Sequence, residues 1–436
     1  MTQITIIGAG LAGLSAGYHA KLNNLDYVLY EQDKRVGGLC KTEEKEGFFF
    51  DYSGHLLHLK DPYVQSLVRE LLSNKLKIIQ RNAFIYSNDV FTRYPFQANL
   101  YGLPPKVIKE CLLEFIKAYY ENEDLPTKSY ENFYEWIVAK LGKGIGKHFM
   151  FPYNKKIWTV PTEELTCEWL SEFVPKPSLE DVINGSFFDQ KKEFGYNATF
   201  WYPKNGGIQA LCNAFKDQVH QIKLNEKVVR VSPQSKRLEL ASGKSIRYEK
   251  LISTISLKNL IDKVAQDVPP RVKKAALRLR HNSILIINLG VRNGKLSKMH
   301  WVYIPEKKYV PYRVGIYSNF SRLMSPAGTS SYYIEIAYQK EWNISKEKVI
   351  DRAISEVIEM GFINRREDIH VQKIFDVETA YVIYDKYYSQ SRKIVMDYLN
   401  KHDIFSIGRY GSWEYSGMEE AMIQGKRIIE QFVSEM

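Results

Sequence analysis

The chain has 436 residues, of which 44% are hydrophobic and 25% charged, with a formal net charge of +11. That length allows two or three domains, in the composition of an ordinary soluble globular protein. With no uncharged apolar run of 18 residues to suggest a membrane span, the positive charge leaves three partner classes: nucleic acid, a membrane surface, or an anionic small molecule.

In chain order, Gln3–Glu31 reads as strand, glycine turn, small-residue helix and second strand, the last being Tyr27-Val-Leu-Tyr-Glu31. Around 105–150 the apolar spacing turns helical over Cys111–Tyr120 and Tyr130–Leu141, until Pro152 and Pro161 break it. Short alternating strands return over 222–254, and 282–339 is strand-rich. A helix follows at about 346–360, and the C-terminal region is a strand at Asp403–Gly408, a turn, and a helix from about Met418. This order predicts a dinucleotide-binding α/β unit assembled from 1–85, 203–265 and 400–436. A helical substrate domain is expected over 86–202 and an antiparallel sheet domain over 266–399.

The N-terminal apolar stretch is short, lacks a basic lead and is used up by the glycine motif, so it reads as a strand and not a signal peptide. Cys40, Cys111, Cys167 and Cys212 are scattered, with no CxxC pair. They are expected to be free thiols in a reducing compartment, the cytoplasm, and not a disulfide framework or metal site. Basic low-complexity tails, zinc spacings and RNA-binding signatures are absent from the sequence, which sets nucleic acid aside. Weak attraction to a membrane surface stays open.

Gly8-Ala-Gly10-Leu-Ala-Gly13 follows an apolar strand directly and opens a helix. Gly8 allows the tight turn, Gly10 lets backbone approach a pyrophosphate, and Gly13 lets helix and strand pack closely, with the helix N-terminus facing the phosphates. Glu31 ends the second strand 18 residues after Gly13, placed to accept from ribose hydroxyls. A second glycine pair lies in Arg35-Val-Gly37-Gly38-Leu39-Cys40, followed by Phe50-Asp-Tyr-Ser-Gly54-His55. Near the end, Gly408-Arg409-Tyr-Gly-Ser-Trp413 places an arginine on a glycine turn before a helix, suited to the pyrimidine edge of a flavin.

The two N-terminal motifs and the C-terminal one resemble the extended FAD-binding pattern of the amine oxidase and protoporphyrinogen oxidase superfamily, which also contains the UDP-galactopyranose mutases. Further blocks resemble the mutases themselves, eukaryotic members most closely. These are Arg93-Tyr-Pro-Phe-Gln-Ala-Asn99, Phe133-Tyr-Glu-Trp-Ile-Val138, the run from Phe151 to Thr162, Asn197–Gly207, and the pair Trp301–Pro305 and Pro311–Ser321. The resemblance implies an α/β fold: a Rossmann-like FAD-binding domain of the glutathione reductase type, with a helical insertion and a mainly antiparallel sheet domain. It implies FAD as cofactor and a pyranose/furanose ring interconversion of a nucleotide sugar, with N5 of the reduced flavin as nucleophile, in cell-surface polysaccharide assembly. The alternative it leaves is an oxidoreductase of the amine oxidase or protoporphyrinogen oxidase type. The expected partners are a nucleotide sugar or other anionic small molecule and a cellular reductant of the flavin, NADPH among the candidates.

Carried over by position, His55 lies near flavin N5, and Leu39, Gly54 and Val228 join Gly8, Gly10, Gly13, Glu31, Gly37, Gly38, Gly408 and Arg409 at the cofactor. Arg313 holds the substrate diphosphate, a task for which a planar guanidinium is suited. Tyr303, Tyr381 and Tyr415 contact phosphate, Tyr94 and Gln97 line the nucleotide pocket, and Asn154 and Trp158 lie along the cleft. One departure stands out. The mutases carry an arginine in the block Asn197–Pro203, where this chain has Trp201, and losing such a contact costs about 1.5–3 kcal/mol. Lys204, Arg93 or Lys155 would have to compensate, or Trp201 stacks on a different substrate.

Overall fold

A computed structural model describes residues 4–121, 130–170, 173–195, 198–292, 297–340, 342 and 345–435. Gln3 and Asn197, the first residues of two of the sequence blocks above, lie outside this set. Ile4–Ile7 is buried along its whole length, as a central parallel strand must be. It pairs in parallel with Tyr27–Tyr30 on one side and Lys250–Ser253 on the other. Ile222–Lys223 and Ile404–Ser406 complete a five-stranded sheet. The first and last segments of the described chain therefore share one layer. The helix Leu11–Leu22, rich in Ala and Gly, lets the C-terminal helix Met418–Ser434 approach closely enough for Ser15 Oγ to donate to the Met422 carbonyl at 2.7 Å.

A second, seven-stranded sheet runs in the order Ile369–Val377, Ser283–Arg292, Thr329–Tyr338, Arg313–Ile316, Trp301–Tyr303, Ala83–Ser87, Val90–Arg93. Its last two strands come from residues 83–93, outside the 266–399 segment expected to form that sheet. The cause is a parallel pairing of Ala83–Ile85 with Trp301–Tyr303, which no local pattern announces. One face of this sheet packs on the helix Lys346–Glu359 through Val349, Ala353, Ile354 and Val357. The other face looks towards the five-stranded sheet.

Residues 105–121 and 133–158 form a helical region. Pro105–Glu121 packs against Phe133–Ile145, longer at both ends than the expected Cys111–Tyr120 in the first case. The second begins at Asn132, whose side chain caps the Glu135 N–H, and not at Tyr130. Cys40, Cys111, Cys167 and Cys212 are free thiols. Among the described residues no helix is long and apolar enough to cross a membrane.

Candidate active site

The two sheets enclose a cleft of about 980 Å³. At one end it is lined by backbone: Gly8, Gly10, Gly37, Gly38 and Gly408. At Gly10 an added Cβ would find its nearest neighbour at Gly38 Cα, 3.9 Å away, so the position is open on the cleft side. At Gly13 the Cβ would collide with the Gly8 carbonyl, so that glycine serves helix–strand packing and does not line the cleft. Gly37 and Gly38 have φ of 128° and 56°, which glycine adopts without strain. The Glu31 carboxylate accepts from Ala9 N at 2.6 Å and Asp33 N at 2.9 Å, which fixes it on the cleft wall where a ribose would lie. Leu39, Gly54 and Val228 also line the cleft.

At the other end, side chains do the shaping. Arg313 and Glu335 are cross-strand partners. The guanidinium meets the fully buried carboxylate with two nitrogens, Nε to Oε2 and Nη2 to Oε1 at 2.9 Å. Ser53 Oγ donates to the same carboxylate and lies 3.3 Å from Arg313 Nη2. Arg409 donates to the Ser416 carbonyl at 2.7 Å and lies over the rings of Tyr415 and Tyr381, 4.8 and 5.3 Å from their centroids. Tyr303, Tyr381 and Tyr415 line the same end with His55. Burial drives the Tyr303 and Tyr381 hydroxyl pKa values up, so both remain O–H donors.

Burial, and next the Arg409 charge, pulls the His55 pKa down to about 4. The imidazole is therefore neutral at pH 7, and its buried Nδ1 has no hydrogen-bond partner among the described residues. An orphaned polar atom of this kind, facing a cleft whose far end is glycine backbone, fits a flavin dinucleotide laid along it. The segment carrying Ser53 and His55 is anchored from behind by Asp51. That carboxylate accepts from Thr42 Oγ1, Tyr202 Oη and Ile208 N, and burial raises its pKa to about 6. Glu335 and Tyr333, which also line the cleft, carried no motif signal, and Asp51 and Ser53 lie inside the block Phe50–His55 without having been singled out as site residues. For Glu335 the only available clue was an acid inside the apolar strand Thr329–Tyr338.

Several expected substrate residues form a second layer behind the lining. Tyr94 packs on Tyr303 at 5.1 Å, and Trp158 packs on Tyr381 and Tyr415 at 5.5 and 5.6 Å. Asn154 accepts from Trp158 Nε1 at 3.2 Å and so sets the indole. Gln97 is buried and donates to the Pro175 carbonyl. Trp201 requires a correction: it does not face the cleft. Along the strand Thr199–Pro203 side chains alternate, so Phe200 and Tyr202 join one core while Trp201 joins the core around the five-stranded sheet, with Arg69 over its ring at 4.4 Å. Its neighbours leave no place for a substrate ring. Nor do Lys204, Arg93 or Lys155 line the cleft; Arg93 is paired with Asp189 at the surface.

A family model for flavin-containing amine oxidoreductases matches residues 11–428. The fold superposes on the crystal structure of reduced UDP-galactopyranose mutase with a TM-score of 0.93 and 25% identity, covering 100% of this chain and 96% of that one. Protoporphyrinogen oxidase 2, chloroplastic/mitochondrial, of Arabidopsis thaliana is 29% identical over 96 residues, 21% of this chain and 19% of that protein. The 4,4'-diaponeurosporene oxygenase of Staphylococcus haemolyticus is 37% identical over 62 residues, 14% of this chain and 12% of that protein. The matches to these curated relatives thus span less than a fifth of their length. With the glycine cradle, the fixed Glu31 and the family match in hand, the cofactor is FAD, and the chain belongs to the flavin-containing amine oxidoreductase family as a UDP-galactopyranose mutase-like flavoprotein.

Proposed function

We propose that this flavoenzyme is a nucleotide-sugar mutase that interconverts pyranose and furanose rings, serving cell-surface polysaccharide biosynthesis. The carrying observation is the convergence of Arg313, Tyr303, Tyr381 and Tyr415 beside His55 and Arg409 at one end of the cleft. The whole-chain likeness to reduced UDP-galactopyranose mutase supports it. When bound, reduced FAD supplies the nucleophile for the anomeric carbon; positioning and charge come from the chain.

Glu335 holds the plane of Arg313 by taking Nε and Nη2, while Nη1 makes no hydrogen bond among the described residues and is left for a diphosphate oxygen. Two guanidinium charges against one carboxylate leave this end net positive, which suits a nucleoside diphosphate. The tyrosine hydroxyls donate to the remaining phosphate oxygens, with Tyr94 and Trp158 bracing Tyr303, Tyr381 and Tyr415 from behind. A departing nucleoside diphosphate is already an anion and needs no general acid. That agrees with a neutral His55, which at pH 7 has one N–H to orient a ring and no acidic proton to give. A cellular reductant such as NADPH would keep the cofactor in its active form.

A second reading, an oxidoreductase of the amine oxidase or protoporphyrinogen oxidase type, is favoured by the family match and by the Arabidopsis relative. One experiment separates the two. Purified enzyme is given UDP-galactofuranose anaerobically, with and without prior dithionite reduction, and the product sugar is resolved by chromatography. The mutase reading expects UDP-galactopyranose only after reduction and no oxygen consumption in air. No conversion by the reduced enzyme, together with failure of UDP to bind either redox form, would sink it.

A further inference from the structure

The helix Pro270–Arg278 is the most one-sided element of the surface. Val272, Ala275 and Ala276 are buried, whereas Arg271, Lys273, Lys274, Leu277 and Arg278 are all exposed. At about 3.6 residues per turn, Lys274 and Leu277 stand at the centre of the exposed face with Lys273 and Arg278 flanking them. The helix contains no acid, and from Lys258 to Arg280 the chain carries seven Lys and Arg against Asp262 and Asp267.

Some surface cations are matched to carboxylates. Here Arg280 takes Glu164 and Asp385, and Lys263 and Lys340 take Glu378. Among the described residues Arg271, Lys273, Lys274 and Arg278 make no ion pair. Arg278 and Lys386 instead lie over the ring of Tyr387, 5.1 and 5.2 Å from its centroid. Tyr387 is 43% exposed and Leu277 is 64% exposed. The patch thus combines unpaired cations with a projecting aliphatic side chain and an amphipathic ring.

We propose that this face docks the enzyme on an anionic bilayer. The cations meet acidic headgroups, and Leu277 and Tyr387 enter the headgroup boundary, where such side chains are favoured. A purely polyanionic partner would recruit the charges but gain nothing from Leu277, which is why a lipid surface fits best. The segment leading into the helix carries Ser256, Asn259 and Lys263 of the cleft wall, so docking would hold that end of the cleft close to the membrane.

The test uses the FAD-loaded full chain and sedimentation with phosphatidylcholine vesicles, either pure or with a quarter of the lipid replaced by phosphatidylserine. Binding is expected to the mixed vesicles only, and to fall away in molar salt, where the Debye length shrinks to about 3 Å. Reversing two charges in Lys273→Glu/Lys274→Glu should weaken it on the order of a hundredfold. Leu277→Ser should weaken it a few-fold at unchanged charge, with the flavin spectrum unaltered in both variants. Equal binding by wild type and the charge-reversed variant, or no binding to mixed vesicles, would overturn the proposal. So would heparin binding as tight as vesicle binding with no effect of Leu277→Ser, which would point to a soluble polyanion.

Discussion

The two ends of the cleft are built differently. The dinucleotide end is made of backbone, with glycines at 8, 10, 37, 38 and 408 and one carboxylate held by peptide N–H groups. The other end is made of side chains delivered by separate strands and loops, tied through Glu335. Backbone recognition needs a short run of residues in fixed order, and it survives wherever that run occurs. Side-chain recognition depends on register between strands distant in sequence, so it can be retuned by single substitutions without touching the cofactor.

The largest expected effect tests whether the strand Thr199–Pro203 belongs to either end. Trp201→Arg places a second guanidinium in a packed core already facing Arg69, and should cost about 4 kcal/mol of stability. Urea titration reads this directly. A stable variant with tighter UDP binding would show instead that Trp201 reaches the substrate.

Next comes a contrast within the cradle. Gly13→Ala drives a methyl into the Gly8 carbonyl and should lower the stability of the apoprotein itself by about 3 kcal/mol. Gly10→Ala meets nothing closer than 3.9 Å, so the apoprotein should melt near the wild-type temperature while FAD affinity collapses. Calorimetry with and without added FAD distinguishes them.

At the side-chain end, Arg313→Ala should weaken UDP binding by about 2–3 kcal/mol with FAD content unchanged. Glu335→Gln should also weaken it, because the freed guanidinium is no longer held in plane. Equilibrium dialysis of UDP against the holoenzyme checks both.

A smaller effect concerns pH. Burial holds His300 at about 4, and its Nδ1 accepts from Asn82 N at 2.9 Å, so the folded ring is neutral. An unfolded histidine titrates near 6.5, so between these values the unfolded chain binds more protons and stability rises with pH. The contribution is whole above about pH 6.5 and is lost as pH falls towards 4, amounting to about 2 kcal/mol at pH 5 for this ring. His55 and His58, also pulled down to about 4, act in the same direction. Asp51 acts oppositely: with its pKa raised to about 6, the folded state binds the extra proton between about 4 and 6, offsetting part of one histidine. Urea midpoints at pH 7 and 5 should therefore differ, and His300→Gln should shrink the difference. Least of all, Asn154→Ala should cost about 1 kcal/mol by freeing the Trp158 indole.

The same division explains what the sequence made legible. Gly8, Gly10 and Glu31 act through a local strand–turn–helix–strand whose geometry follows from one consecutive segment, residues 4–31, so both identity and role could be read. Arg313 and Tyr303 were reached through resemblance to whole motif blocks, Tyr415 through the C-terminal one, and Tyr381 only by position carried over from the family. Glu335 lay outside every block, and Ser53 and Asp51 had no role assigned within theirs, because their meaning arises only when a β-ladder aligns position 313 with 335 and a loop folds Ser53 onto both. Trp201 was misassigned for a related reason. A motif block fixes position along a strand but not which face a given residue takes, and one residue of alternation separates cleft from core. The parallel pairing of 83–85 with 301–303 was equally invisible, since parallel partners share no turn.

The layered order of the parallel sheet also has a temporal side. Its outermost strand, Ile404–Ser406, and the Gly408–Arg409 turn leave the ribosome only after some four hundred residues have preceded them. At about 5–20 residues per second, the pocket's last wall arrives tens of seconds after its first. Loading of the prosthetic group is thereby deferred until the segment around Gly408 and Arg409 has been made, and the nascent glycine loop must wait, half-housed, for its distant neighbour.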